Sequence, residues 1–312
     1  MIGLPAAITL PHLLPLERVT PLWAAALWTS ALVLRALAAV GLAVFVLVYL
    51  PMTDFFRVVA HWCLHDVLPV LAVHLGLSGH SLAHAASILP GLALAASVLW
   101  LAFGLARVWL ALRRRLARAI GEGPQGTTIV GEEHIVIGAT RLGRGRIVVS
   151  NAALHRMDGG ELAASLAHEE AHIRRRHRPL LLAASLLAAL GRLLPGTRTA
   201  ERELAFQLER DADEYAVRHT DDPLALASAI CKAATDAAAP VFVALGGRGR
   251  VTRRLGYLVD GAPSRGGALL EGSVRLLAAA LATGALLLAL SMPAWATSAP
   301  SSDPGASTTC PH

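Results

Sequence analysis

Three long apolar runs dominate the pattern along the chain. The first covers residues 22–50 with one charge inside it, Arg35. The second covers residues 88–112 with Arg107 toward its end, and the third covers residues 274–295 with Arg275 at its start. About 20 apolar residues cross a bilayer core, so each run predicts a transmembrane helix. Arg35 is expected to snorkel to the interface along its own apolar stem. A fourth apolar stretch, 180–194, is interrupted by Gly191 and Arg192 and ends at Pro195-Gly196. It is short for a span and predicts a helix lying in the membrane interface, with a core helix as the alternative.

Between the second and third runs the period changes. Thr127–Val130, Ile135–Ile137 and Arg146–Ser150 are short β-branched runs near glycine turns, which predicts a hairpin or small sheet. Asp158-Gly159-Gly160-Glu161 then has the form of a capping box ahead of the helix-forming run LAASLAHEEAHIRR. A second helix is expected over about 200–218. A third is expected from Asp222-Pro223, an N-cap followed by proline, to about residue 234.

Composition supports the membrane reading. Hydrophobic residues make up 54% of the 312, charged residues 16%, and the mean hydropathy is +0.53. Soluble domains carry about 25% charge, so an ordinary soluble enzyme and a disordered chain are both excluded. The net charge is +6, and Lys232 is the only lysine among 28 basic residues. The arginines gather at span ends rather than in a nucleic-acid motif, so no nucleic-acid partner is expected. Arg113, Arg114, Arg115 and Arg118 follow the second run; Arg248, Arg250, Arg253, Arg254, Arg265 and Arg275 precede or open the third.

The positive-inside rule then orients a multi-pass protein of the cell membrane. Residues 1–21 are expected inside, 51–87 outside, 113–273 as a cytoplasmic domain, and 296–312 as a disordered outside tail. The first apolar run lacks a charged leader and a cleavage site, so it is expected to stay as an anchor. The outside segment holds His61, His65, His74, His80 and His84, which suits either a metal or pH sensor or a partly buried helix pair. Cys63 and Cys310 both fall outside, where a disulfide is permitted; Cys231 is expected to be a free thiol.

The chemistry is concentrated in His168-Glu169-Glu170-Ala171-His172, an HExxH string on the capped helix. Residues four apart share a helical face, so both imidazoles reach one ion. Glu169 between them is placed to take a proton from a water on that ion. In the second helix Glu209 and Asp213 also stand four apart, flanked by the small residues Ala205, Ala212 and Ala216. Close approach of the two helices would let Glu209 complete a His₂Glu zinc site, one ion per chain, with an open position. Asp213 would then accept from a ligand histidine's second nitrogen. The alternative is an exposed acidic stripe paired with Arg202 and Arg210.

The stretch from Arg146 to Ala234 resembles integral-membrane zinc metallopeptidases of the gluzincin type. It is similar to the HtpX and CAAX-prenyl-protease group and more so to the BlaR/MecR-type regulatory peptidases. The features that carry this are the strand IVVS, the run ELAASLAHEEAHIRRRH and the later E-x-x-A-D from Glu209 to Asp213. The resemblance implies zinc on His168, His172 and Glu209, Glu169 as catalytic base, and Asp213 behind the ligands. The HtpX-like enzymes carry a membrane hairpin between HExxH and the glutamate, where this chain has only 180–194. The asparagine-alanine pair that often lies before the hairpin in those enzymes stands here as Gly138-Ala139.

The expected fold is therefore mainly α: three transmembrane helices and a cytoplasmic α+β zincin-like metallopeptidase domain with a small sheet. The expected function is a membrane-anchored zinc endopeptidase acting on protein or peptide substrates beside the lipid bilayer, in regulation by repressor cleavage or in membrane-protein quality control. The competing expectation is a non-proteolytic sensor or scaffold that keeps the fold. His177, Tyr215 and His219 are the candidate oxyanion donors. A substrate strand is expected at the sheet edge near Arg146–Ser150, and the run Arg174–Arg176 with Arg178 is expected on lipid headgroups.

Overall fold

The computed structural model describes residues 3–46, 92–93, 95–104, 106–107, 110, 114, 119–123, 126–139, 146–236, 248–261 and 266–297. The histidines of 51–87, Cys63, Cys310, part of the second apolar run and the tail beyond residue 297 lie outside the described residues.

Helix α1 (Gly3–Leu13) leads through a 3₁₀ turn at Leu16–Arg18 into α2 (Pro21–Val44), which starts with proline in its first turn. The C-terminal helix α9 (Ala268–Thr297) packs along α2. Both α2 and the segment Ala268–Ser291 are long and apolar enough to cross a membrane. They differ in surroundings. Half of the apolar window of α2 is buried within the protein, whereas α9 leaves Leu269, Leu276, Leu286, Leu287 and Leu290 each at least 59% exposed. That exposed leucine surface is what a lipid-facing helix presents.

The core around α2 joins Ala24, Leu27, Trp28, Ala31 and Leu32 to Ala184, Ala188, Leu204, Leu208 and Val274. Alanines recur on this face and let neighbouring helices come close. Helix α5 (His177–Leu190), the fourth apolar stretch of the sequence, sends Ala184 and Ala188 into this core and leaves Leu182 and Leu186 exposed. Its 14 residues, about 21 Å of helix, fall short of a span.

Arg35 does not snorkel. It is fully buried and donates to Ile8 O at 3.2 Å and Gly196 O at 3.3 Å. The reason is local. Both carbonyls stand beside this face of α2, and a buried guanidinium is tolerated where its donors find acceptors.

The sheet has the order β1-β2-β4-β3, with β1 Ala119–Glu122, β2 Thr128–Val130, β3 Ile137–Ala139 and β4 Ile147–Ser150. β1 and β2 are antiparallel, β2 and β4 parallel, and β3 and β4 antiparallel. The Gly-containing β1 carries no alternating apolar pattern and all four of its residues are exposed, so periodicity does not mark it as a strand. β3 starts at Ile137, two residues later than expected. β4 lies inside the sheet, so it has no free edge for a substrate; the open edges belong to β1 and β3.

Ser150 ends β4 and caps the short α3 (Asn151–Arg156) by accepting from Ala153 N. Asp158 and Glu161 form the expected capping box at the start of α4 (Gly159–Arg174), and removing such a cap costs about 1 kcal/mol. After α5 come α6 (Thr197–Thr220), α7 (Pro223–Thr235, capped by Asp222) and α8 (Arg248–Val259). One apolar cluster (Ile135, Val149, Met157, Leu166, Ala229) joins the sheet, α3, α4 and α7; another (Ala164, Ala216, Leu226, Leu258) joins α4, α6, α7 and α8.

Candidate metal centre

Helices α4 and α6 meet through Ala171 and Ala212, both fully buried, with Tyr215 beside them. No side chain larger than a methyl separates the backbones there. The approach faces the HExxH histidines with Glu209. His168 Nε2 and His172 Nε2 lie 3.1 Å apart. Glu209 Oε2 is 3.4 Å from His168 Nε2 and Oε1 is 3.6 Å from His172 Nε2.

These separations allow a direct test of fit. An ion with tetrahedral bonds of about 2.0–2.1 Å holds its ligand atoms roughly 3.4 Å apart. The three distances bracket that value, and among the described residues this is the one trio of metal-ligating groups so gathered. Two nitrogens and a carboxylate make a donor set suited to zinc.

Each of these two histidines is held from behind. His168 Nδ1 lies 2.9 Å from Asp213 Oδ1, somewhat out of line for a full hydrogen bond. His172 Nδ1 lies 3.0 Å from His177 Nδ1. Asp213 is 5% exposed and ion-paired away from Arg202 and Arg210, which removes the alternative of an exposed acidic stripe. Arg210 instead donates to Leu16 O and Val19 O, tying α6 to the segment that opens α2.

The electrostatics separate the two histidines. Burial opposes a charge on His168, but Asp213 and Glu209 outweigh it and raise its pKa to about 9. His172 is lowered to about 4 by burial, reinforced by the charge of His168. Burial alone would raise the Glu209 and Asp213 carboxyls; the Arg254 guanidinium and the histidines hold both below their usual range.

Glu169 points to the sheet. Its Oε2 accepts from Ala139 N at 2.8 Å and from Arg178 Nη2 at 3.3 Å. The hydrogen bond joins the motif to β3, the edge strand. Val136 O accepts from Ser150 N, so Val136 and Gly138 face β4 while Ile135, Ile137 and Ala139 face away. The Ile135 N–H is held by Asp236 Oδ2 at 2.6 Å. A carboxylate thus stands at each end of the outer edge, with Ile137 between them.

Three contributors were not legible as site residues. Arg254 donates to both carboxylate oxygens of Asp213 at 2.7 and 2.8 Å and lies 2.9 Å from Glu209 Oε2. The sequence offered it as one of a cluster marking the cytoplasmic side of a span. Arg178 and Asp211 were hidden because α4 ends at Arg174 and Arg176 adopts a left-handed turn (φ 53°), which breaks the helical spacing. The arginine run also differs from its expected place on headgroups. Arg174 pairs with Glu170, Arg175 with Asp211 and Arg178 with Glu169.

Of the three candidate oxyanion donors, His177 is 1% exposed, and both its ring nitrogens are engaged, by His172 and by Asp211 Oδ2 at 3.0 Å. That position behind His172 differs from the expected one facing substrate. Tyr215 stacks on His219 with centroids 3.8 Å apart, and its hydroxyl is buried with no hydrogen bond among the described residues. His219 Nδ1 contacts Tyr215 O, and no described contact brings either residue to Glu169.

Searches of curated proteins and of solved structures returned no match to the chain. A family model does match: residues 112–207, under a third of the chain, are similar to Peptidase family M48, a stretch that contains the sheet and the HExxH helix and stops two residues before Glu209.

Proposed function

We propose that this protein is a membrane-anchored zinc endopeptidase. The observation that carries the reading is the convergence of His168 Nε2, His172 Nε2 and Glu209 at separations of 3.1–3.6 Å beside Glu169. The similarity to a peptidase family over the same helix supports it. His168, His172 and Glu209 would hold the ion, with Asp213 and Arg254 orienting His168 and Glu209. Zinc, when bound, supplies Lewis acidity toward the scissile carbonyl and the attacking water.

Glu169 is the base that takes the water proton and passes it to the leaving nitrogen. Ala139 N–H and Arg178 fix its Oε2, which leaves Oε1 for the proton. Arg178 adds a cation beside the reacting groups, and Tyr215 and His219 stay as candidate donors to the oxyanion. The substrate is a protein segment in extended form. It adds to the outer edge of β3, where Ile137 offers N–H and C=O between the carboxylates of Asp236 and Glu169.

The membrane is crossed by 22–50, 88–112 and 274–295, with 113–273 facing the cytoplasm. The leucine surface of α9 supports an anchored enzyme acting on substrates near the bilayer, in regulation or in quality control. A topology map by reporter fusion tests the orientation; residue 160 on the outside would refute it. The reaction is tested by Glu169→Ala, expected to abolish peptide cleavage while zinc stays bound. Full cleavage by that variant would refute the mechanism.

A further inference from the structure

His177 has been placed behind His172, and the hydrogen positions there can be worked out link by link. His172 presents Nε2 toward His168 and Glu209. A ligating Nε2 must carry a lone pair, so the ring proton sits on Nδ1. Against that Nδ1, at 3.0 Å, stands His177 Nδ1. For His172 to donate there, His177 Nδ1 must accept, which puts the proton of His177 on its own Nε2. At 3.0 Å from that Nε2 lies Asp211 Oδ2, an acceptor. The remaining oxygen, Oδ1, is held by Arg175. Every donor in the chain meets an acceptor, and only this direction leaves Nε2 of His172 free to bind an ion.

We infer that His177 is a positioning residue that fixes the ligating tautomer of His172, with Asp211 as the terminal acceptor. The inference rests on the metal-centre reading above. A ligand histidine usually gives its second N–H to a carboxylate, a carbonyl or water. Here a second imidazole is interposed, and it carries the hydrogen-bonded chain from α4 through the first residue of α5 to α6. Burial makes the chain specific: His177 is 1% exposed, Asp211 3% and His172 6%. The left-handed residue Arg176 reverses the chain so that His177, first in its helix, faces back to His172.

The test compares wild type, His177→Leu and His177→Gln as detergent-purified full-length chains. Zinc affinity is measured by competition with a chelator. Glutamine can accept from His172 through its carbonyl and donate to Asp211 through its amide, so it keeps the polarity of the link; leucine has neither group. The leucine variant should bind zinc about 10- to 100-fold more weakly, and the glutamine variant should recover most of the loss.

Equal affinity in wild type and leucine variant would overturn the inference, as would a glutamine variant no better than leucine. A second readout needs no leucine variant: the long-range ¹H–¹⁵N spectrum of the zinc-loaded wild type, with His177 assigned by its loss in His177→Gln. His177 is expected as the Nε2–H tautomer, and an Nδ1–H form would overturn the inference. A wild type that binds no zinc would overturn the metal-centre reading and the inference with it, whereas zinc binding indifferent to His177 would overturn the inference alone.

Discussion

Glu169 Oε2 accepts a hydrogen bond from the backbone N–H of Ala139 at 2.8 Å, which fastens the HExxH helix to the outer edge of the sheet. The proposed base and the strand that would receive a substrate are thus positioned by one contact. Glu169→Gln keeps an oxygen for Ala139 but loses the base. Peptide cleavage should fall by a factor of about 10² or more with zinc content unchanged. Cleavage assays and metal analysis on one preparation check this.

The edge itself can be tested at Ile137. Its N–H faces away from β4, so proline there removes no bond of the sheet, and proline is tolerated at such edge positions. Ile137→Pro should retain zinc and fold but lose most cleavage of extended peptides. Full activity would mean that substrates do not pair with β3.

Arg254 pairs with two carboxylates at once, the buried Asp213 and the half-buried Glu209. Its side chain is 14% exposed and that of Asp213 7%. Removing one partner of a buried pair strands the other charge, at a cost of about 3–5 kcal/mol. Arg254→Met should therefore lower stability of the metal-free protein by an amount of that order and weaken zinc binding. Asp213→Asn in the same background should restore part of the stability, because the stranded charge is gone. Denaturant titration of the single and double variants measures both.

Glu161 supplies a pH dependence away from the candidate metal centre. Burial would raise its pKa, but Lys232, Ser228 and the Asp158 N–H outweigh it and hold the carboxyl below its usual 4.5. A carboxyl lowered on folding stabilises the native state above its unfolded pKa, and the benefit fades as pH falls through the lower folded value. The melting-temperature gap between wild type and Glu161→Gln should be constant near neutrality and shrink below pH 4.5. A gap that widens with acid would contradict the assignment.

The sequence made the local signals readable. The capping box of Asp158 and Glu161, the proline after Asp222 and the four-residue spacing of His168 and His172 are each written within a few neighbouring residues. Glu209 was legible because alanines mark a close helix contact. What stayed hidden depends on tertiary placement. Arg254 is 41 residues from Asp213 and looked like a topology signal. His177 and Asp211 reach His172 only because Arg176 breaks the helix. The edge role of β3 follows from strand order, and a parallel β2–β4 pair cannot be inferred from three short apolar runs.

The central claim is that His168, His172 and Glu209 form one zinc site, and zinc content per chain tests it most directly. The purified wild type should hold about one zinc, and Glu209→Ala or Glu209→Gln should hold far less. A wild type without zinc after reloading, or a Glu209 variant that keeps a full complement, would contradict the account.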